Sequence, residues 1–176
     1  KNITNNKSPD WLIRRLESIG MKSINCLVDI TNFINFDRGR PLHVYDANKI
    51  NNKIGAREAR DGEKVLALDG KDYELKPGMC VIADEEKVVG IGGIMGGNES
   101  GSTIETKDVF IESAYFDPIK TALAGRELNI ASDSRYRFER GVDPEYVIEG
   151  LNLATQMILD LAVSYTHLTL PTRSNV

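Results

Sequence analysis

Apolar side chains recur at helical spacing in several parts of the chain, and these segments predict helices. The predicted helices span residues 9–19, a short segment around 27–34, residues 118–128 and a segment after Pro144. A serine or aspartate followed by proline precedes three of them, which is typical of a capped first turn. The last helix has the clearest apolar stripe, formed at spacings of three and four by Val147, Leu151, Ala154, Ile158 and Leu161.

Between residues 54 and 94 the pattern changes to short runs of strand-forming residues. The runs are separated by turn signals such as Asp69-Gly70 and read IGAREA, KVLAL, DYEL, CVIAD and VVGIGGI. A further strand is predicted for VFIESA, just before the helix at 118–128. In RYRFER, residues 135–140, aromatic and charged residues alternate, which predicts one more strand. The chain is therefore predicted to have an α+β fold, a strand meander packed with several helices.

The last residues of the chain differ from the rest. From residue 163 onward the sequence VSYTHLTLPTRSNV has no helical period and is rich in serine, threonine and proline. We predict that residues 163–176 are a non-native or disordered tail, and His167 therefore carries no functional argument.

Composition narrows the class of protein. The net charge of −4 argues against a general RNA-binding domain, which needs a basic surface. No apolar run approaches the roughly 20 residues that span a bilayer, so a soluble protein is predicted. Cys26 and Cys80 lie far apart without further ligands nearby, so neither a disulfide framework nor a metal site is predicted, and a cytoplasmic location fits best. Because the first methionine is Met21, we expect a fragment of a larger protein.

Three features could belong to a binding site. The run GIGGIMGG, residues 90–97, matches neither the dinucleotide nor the nucleoside-triphosphate loop, so it forms either a tight packing site or a backbone-lined pocket. His43 follows a helix stop, and a lone histidine is more often structural than functional. Glu112 places a carboxylate among apolar strand residues, where it needs either a salt bridge or a ligand that donates a hydrogen bond.

Five motifs in one order resemble the central domain of the β subunit of bacterial phenylalanyl-tRNA synthetases. They are SPDWLIRRLESIGMKSINCLVDITNFI, GRPLHVYDANKI, GIGGIMGG, ESAYFDP and SDSRYRFERGVDP. The resemblance covers residues 8–162 and implies one tRNA-editing domain with that boundary. It implies hydrolysis of tyrosyl-tRNA(Phe) within a heterotetramer of two α and two β subunits. ATP and magnesium are implied only for the parent enzyme, and no cofactor for this domain.

The resemblance also implies roles for individual residues. Glu112 corresponds to the glutamate that reads the tyrosine hydroxyl, and His43 to a histidine of the same pocket; these two are the candidate catalytic residues. The candidate substrate-binding residues are Thr31, Asn32, Gly93, Ser132 and Ser134. Many relatives carry alanine where this chain has Ser134, a departure that affects the width or polarity of the pocket.

The logic of such a site is physical. A pocket that accepts phenylalanine cannot strongly reject the same ring with an added hydroxyl, whereas a second site built to hydrogen-bond that hydroxyl discriminates well. Two alternatives stay open beside this hypothesis. The chain is a structural or interaction module of the β subunit without editing activity, or it is a free-standing trans-editing deacylase.

Overall fold

The computed structural model describes residues 1–163, in which helices and short strands are mixed, as the predicted α+β class requires. The elements are α1 (Asp10–Glu17), α2 (Cys26–Arg38), β1 (His43–Asp46), a one-turn 3₁₀ helix (Ala47–Lys49), β2 (Gly55–Glu58), β3 (Lys64–Leu66), β4 (Asp72–Glu74), β5 (Cys80–Ala83), β6 (Val88–Ile91), β7 (Met95–Gly96), β8 (Val109–Glu112), α3 (Pro118–Glu127), α4 (Asp133–Phe138) and α5 (Tyr146–Leu161). No helix within residues 1–163 is long and apolar enough to cross a membrane.

The strands form three small antiparallel sheets. The order β2-β5-β6-β7 makes a four-stranded sheet, and β3 and β4 form a two-stranded hairpin beside it. The third sheet joins β1 to β8, which lie far apart in the sequence. The pairing therefore brings a segment from the first third of the chain against a segment from its second half.

Two regions of packing surround these sheets. One buries apolar side chains of α1, α2 and α5 against the β1–β8 pair, with Leu12, Ile30 and Ala154 completely buried. The other lies around the four-stranded sheet and includes Val81, Ile91 and residues of α3 and α4. The site therefore lies where a helical layer meets a layer of strands.

Most of the predicted helices are confirmed. The side chain of Asp117 accepts a hydrogen bond from the Lys120 amide and caps α3, whose first residue is Pro118. The predicted stripe of α5 faces the interior, where Ala154 and Ile158 are buried. The helix predicted around residues 27–34 is longer, and ends at Gly39 with a φ of 63°.

The strand predicted for RYRFER is wrong, because residues 133–138 form the helix α4. Ser132 caps this helix by accepting from the Arg135 amide, and Arg135 pairs with Glu139 one turn later. A strand would have buried both aromatic residues on one face. In the helix Phe138 is 3% exposed while Tyr136 is 57% exposed.

Residues before Ser8 pack and hydrogen-bond with later parts of the described chain. Ile3 is buried, and its amide donates to the carbonyl of Lys107, while the Thr4 amide donates to Ala162. Val163 packs against the helical core. The predicted tail lies, apart from Val163, outside the described residues, as does His167.

The buried carboxylate of Asp29 connects the start of α2 to the preceding chain. Its two oxygens accept hydrogen bonds from the Ser8 hydroxyl at 2.6 Å, the Ser23 hydroxyl at 2.5 Å and the Ile24 amide at 2.9 Å. The predicted cap of α1 by Ser8 is therefore wrong, since this hydroxyl bonds Asp29 and Pro9 precedes the helix without a side-chain cap. Removing this acceptor would leave its hydrogen-bond donors without a partner, which destabilises the folded state.

We expect Asp29→Ala to destabilise the fold by about 2–4 kcal/mol, because three donors lose their acceptor. The free energy of unfolding, measured with urea, tests this. Asp37→Ala on the same helix is the control. Asp37 is exposed and pairs with Arg38 alone among the described residues, so a change within about 0.5 kcal/mol is expected. Equal losses in the two variants would contradict the role of Asp29.

Candidate functional site

The pairing of β1 with β8 places His43 directly opposite Glu112. Directly opposed residues of an antiparallel pair share a face, and so do residues two apart on one strand. Tyr45 therefore joins His43 and Glu112 on that face. Its hydroxyl donates to Oε2 of Glu112 at 2.6 Å, and its ring lies 4.4 Å from the ring of His43, measured between centroids.

Glu112 is a carboxylate in a poorly solvated position. Burial raises its pKa, and the hydrogen bond from Tyr45 partly opposes that shift. Burial and the neighbouring negative charge of Glu112 raise the pKa of Tyr45, so the phenol keeps its proton and acts as the donor. The salt bridge considered from the sequence is not formed within residues 1–163, where Tyr45 is the hydrogen-bond partner of this carboxylate.

His43 is held as a neutral imidazole. Burial lowers its pKa to about 4, so the ring is uncharged at neutral pH. Its Nε2 atom is buried without a hydrogen-bond partner among the described residues. The ring packs directly on Gly96, where an added Cβ would lie 2.3 Å from Cε1 of His43. Only glycine leaves the ring enough space.

The glycine run passes between this pair of strands and α4. Gly93 has a φ of +71°, and a Cβ there would lie 2.9 Å from the ring of Phe116. The carbonyl of Gly93 accepts from the Ser134 hydroxyl at 3.2 Å, and that of Ile94 accepts from the Ser132 hydroxyl at 2.6 Å. The glycine run is therefore both closely packed and part of the lining of a cavity, the two possibilities that its sequence left open.

These residues enclose a cavity of about 400 Å³, a size typical of small-molecule sites. Its polar wall consists of His43, Tyr45, Asp69, Glu112, Ser132 and Ser134, with the backbone of Gly93 and Gly96. The remaining wall is mainly apolar and includes Leu42, Ile82, Ile91, Ile94 and Phe138. An aromatic ring with one polar substituent suits such a mixture of surfaces.

A second cavity, of about 540 Å³, adjoins the first. The two cavities share Tyr45, Ile82 and Glu112. The larger one is lined mainly by apolar residues, and two of its charged residues, Lys120 and Glu58, pair with each other. We place the candidate site in the smaller cavity, since only that one combines Glu112 with His43 and the glycine backbone.

The structure brings together five of the seven residues predicted for the site, since His43, Glu112, Gly93, Ser132 and Ser134 line one cavity. Thr31 and Asn32 lie on α2 and are not among the residues that line it. The hydroxyl of Thr31 bonds the Val28 carbonyl within its own helix. The Ser134 hydroxyl donates to the Gly93 carbonyl, a bond to the loop that the alanine expected from the resemblance could not make.

Two residues of the site were missed from the sequence, Tyr45 and Gly96. Tyr45 could have been found, because HVYD is a strand, and alternation places its third residue on the face of His43. Gly96 belongs to a noticed glycine run, but nothing in the sequence indicates which side chain packs on it. That contact depends on the β6–β7 pairing.

Comparison with known proteins identifies the family. The sequence model of the B3/4 domain family matches residues 1–163, and the chain belongs to that family. The similar curated proteins are phenylalanine–tRNA ligase beta subunits. Over 161 residues the chain is 56% identical to that of Mesorhizobium japonicum, 53% to that of Bradyrhizobium diazoefficiens and 55% to that of Paramagnetospirillum magneticum. The resemblance expected from the five motifs is confirmed.

Each of these alignments covers 92% of this chain and 20% of the relative, so the chain spans about one fifth of the length of those β subunits. Among solved structures, an N-terminal fragment of the phenylalanyl-tRNA synthetase β subunit from Pyrococcus horikoshii gives a TM-score of 0.43 at 19% identity. That superposition covers 62% of this chain and 36% of the other.

We expect Gly96→Ala to lower the free energy of unfolding by about 1–3 kcal/mol, because the new methyl group displaces the His43 ring. Denaturant unfolding measures the change. Gly55→Ala is the control, since a Cβ at Gly55 meets nothing within 4 Å and should change stability by less than about 1 kcal/mol. A neutral Gly96→Ala would show that the ring does not rest on this glycine.

We expect Glu112→Gln to be more stable than the wild type at pH 7. The raised pKa of Glu112 means that its ionised form is destabilising in the folded state, and a neutral amide avoids this. As the pH falls through the folded-state pKa of Glu112, the wild-type carboxyl becomes protonated and the difference should shrink. His43, whose lowered pKa has the opposite pH dependence, is present in both proteins and cancels. Thermal unfolding from pH 7 to 4 tests this; a difference that grows on acidification contradicts it.

Proposed function

We propose that this chain is the tRNA-editing part of a phenylalanine–tRNA ligase β subunit and that it hydrolyses tyrosyl-tRNA(Phe). The observation that carries the proposal is Glu112, a half-buried carboxylate that lines a ring-sized cavity and has no cationic partner among the described residues. A carboxylate accepts but does not donate hydrogen bonds when ionised, so it favours a ligand with a hydroxyl. Phenylalanine in the same position would leave the charge unpaired, which is unfavourable.

The reaction in this proposal is hydrolysis of an ester by water. His43 orients that water and does not act as a strong base, because an imidazole with a pKa near 4 takes up a proton poorly at neutral pH. The backbone of Gly93 and Gly96 leaves room for the amino-acid part of the substrate. Catalysis on this account rests on positioning.

The partners in the proposal follow from the resemblance to the family. We extend the proposal to a parent enzyme that is a cytoplasmic heterotetramer of two α and two β subunits, in which ATP and magnesium serve aminoacylation elsewhere and this domain needs no cofactor. The net charge of −4 fits a domain that holds the aminoacyl end while other parts of the enzyme hold the tRNA body. The 56% identity to a segment of a β subunit favours this assignment over a free-standing deacylase.

Titration of the chain with L-tyrosine and L-phenylalanine tests the proposal. We expect tyrosine to bind more tightly, and Glu112→Gln to reduce that preference by about tenfold or more. Glu105→Gln, at an exposed position away from the cavity, is the matched control and should keep the preference. Hydrolysis of tyrosyl-tRNA(Phe), with phenylalanyl-tRNA(Phe) as the comparison, should follow the same order among the variants.

The opposite result has a clear meaning. A folded chain that binds the two amino acids equally, or whose preference survives Glu112→Gln, would leave the structural or interaction module as the better explanation.

His43→Ala separates the roles within the site. It should slow hydrolysis more than it weakens tyrosine binding, because His43 faces the cavity without a bond to Glu112.

A further inference from the structure

Tyr45 is a buried side chain between the β1–β8 sheet and the four-stranded sheet. It is 2% exposed, and it belongs to an apolar cluster with Ile82, Val89 and Phe138. Its hydroxyl reaches the four-stranded sheet as well, since a Cβ on Gly90 of β6 would lie 3.4 Å from it. The ring is thus packed among apolar side chains, and the hydroxyl lies against β6 as well as bonding Glu112.

The hydrogen bond from Tyr45 determines what Glu112 offers to a ligand. At 2.6 Å from the hydroxyl, Oε2 is engaged in a short bond of the charge-assisted type. Oε1 has no hydrogen-bond partner among the described residues, although Glu112 lines the cavity. The carboxylate therefore has one oxygen fixed to the protein and one oxygen left to accept from a ligand.

The same bond influences the charge of Glu112. A phenol that donates to the carboxylate stabilises the ionised form, in opposition to the effect of burial. Without it, Glu112 becomes protonated more readily. A protonated carboxyl can itself donate a hydrogen bond, so it no longer requires a hydroxyl on the ligand.

The other ionisable groups near Glu112 leave this function to Tyr45. His43, which lies on β1 with Tyr45, is neutral at ordinary pH and packs edge to face on the Tyr45 ring. Cys80 on β5 is a half-buried thiol whose pKa is raised by partial burial and, to a smaller extent, by Glu112. The two cavities that share Glu112 are also lined by five charged residues, Asp69, Arg57, Glu58, Asp117 and Lys120. None of these bonds Glu112.

We propose that Tyr45 is a positioning residue that acts through Glu112 and thereby makes the cavity selective for a ligand with a phenolic hydroxyl. The bond from Tyr45 to Oε2 stabilises the ionised carboxylate and fixes its orientation, so that Oε1 is left to accept a hydrogen bond from the ligand. This inference rests on the proposed function for the identity of the ligand, but the coupling between the two side chains is a property of the chain alone.

The test is Tyr45→Phe, which keeps the packed ring and removes the donor. The variant is titrated with L-tyrosine and L-phenylalanine between pH 5 and 8. We expect tyrosine to bind about tenfold more weakly at neutral pH and phenylalanine to bind as before. The pH at which tyrosine affinity is lost on acidification should move upward. Tyr136→Phe, at an exposed position on α4, is the matched control and should change nothing.

A double variant shows whether Tyr45 acts through the carboxylate. In Tyr45→Phe combined with Glu112→Gln, the preference for tyrosine should be no lower than in Glu112→Gln alone. An equal loss of affinity for both amino acids, with no shift of the pH profile, would mean that Tyr45 only supports the fold and would overturn the proposal. Additive losses in the double variant would do the same.

A measurement without ligand separates this inference from the proposed function. Carbon NMR of labelled glutamate side chains, with Glu112 assigned from the Glu112→Gln variant, gives the pKa of Glu112 in the free chain. Tyr45→Phe should raise it; an unchanged pKa overturns the inference even if tyrosine binds selectively. If the wild type shows no selectivity but the pKa rises in Tyr45→Phe, the proposed function fails while the coupling holds.

Discussion

The antiparallel pairing of β1 with β8 is the constraint on which the site depends. It joins two distant segments, and its register decides that His43, Tyr45 and Glu112 point the same way. A shift by one residue would turn Glu112 to the opposite face and break the bond to Tyr45. Just beyond β8, the buried guanidinium of Arg40 donates to the carbonyls of Ala114 and Asp143, which ties the pair to the start of α5.

Several features around the β1–β8 pair destabilise the folded state. A half-buried carboxylate lies opposite a neutral histidine whose buried Nε2 lacks a partner within the described part of the chain. Each feature is unfavourable by itself, and the packing of Tyr45 and Phe116 maintains them together. Such concentrations of destabilising groups are typical of functional sites, where the groups serve ligand binding at the expense of folding stability.

Sequence patterns predicted the elements whose signals are local. The cap of Asp117 and Pro118 and the stripe of α5 were found because they rest on neighbouring residues. The helix α4 was missed because six residues are too short for helical periodicity, and its start depends on Ser132, which also bonds the distant Ile94 carbonyl. For the site, Glu112 was noticed as a charge among apolar residues, but its partner Tyr45 depends on the register of β1 with β8.

The balance at Glu112 explains why a single carboxylate can serve as a discriminator. In an exposed position, water would replace a missing ligand hydroxyl at little loss, and the two amino acids would bind almost equally. Burial makes the missing bond unfavourable but also favours protonation, which would remove the requirement for a donor. One fixed phenol resolves this conflict, because it stabilises the anion without filling both oxygens. Selectivity for a hydroxyl therefore needs the pair of side chains, and neither Glu112 nor burial alone provides it.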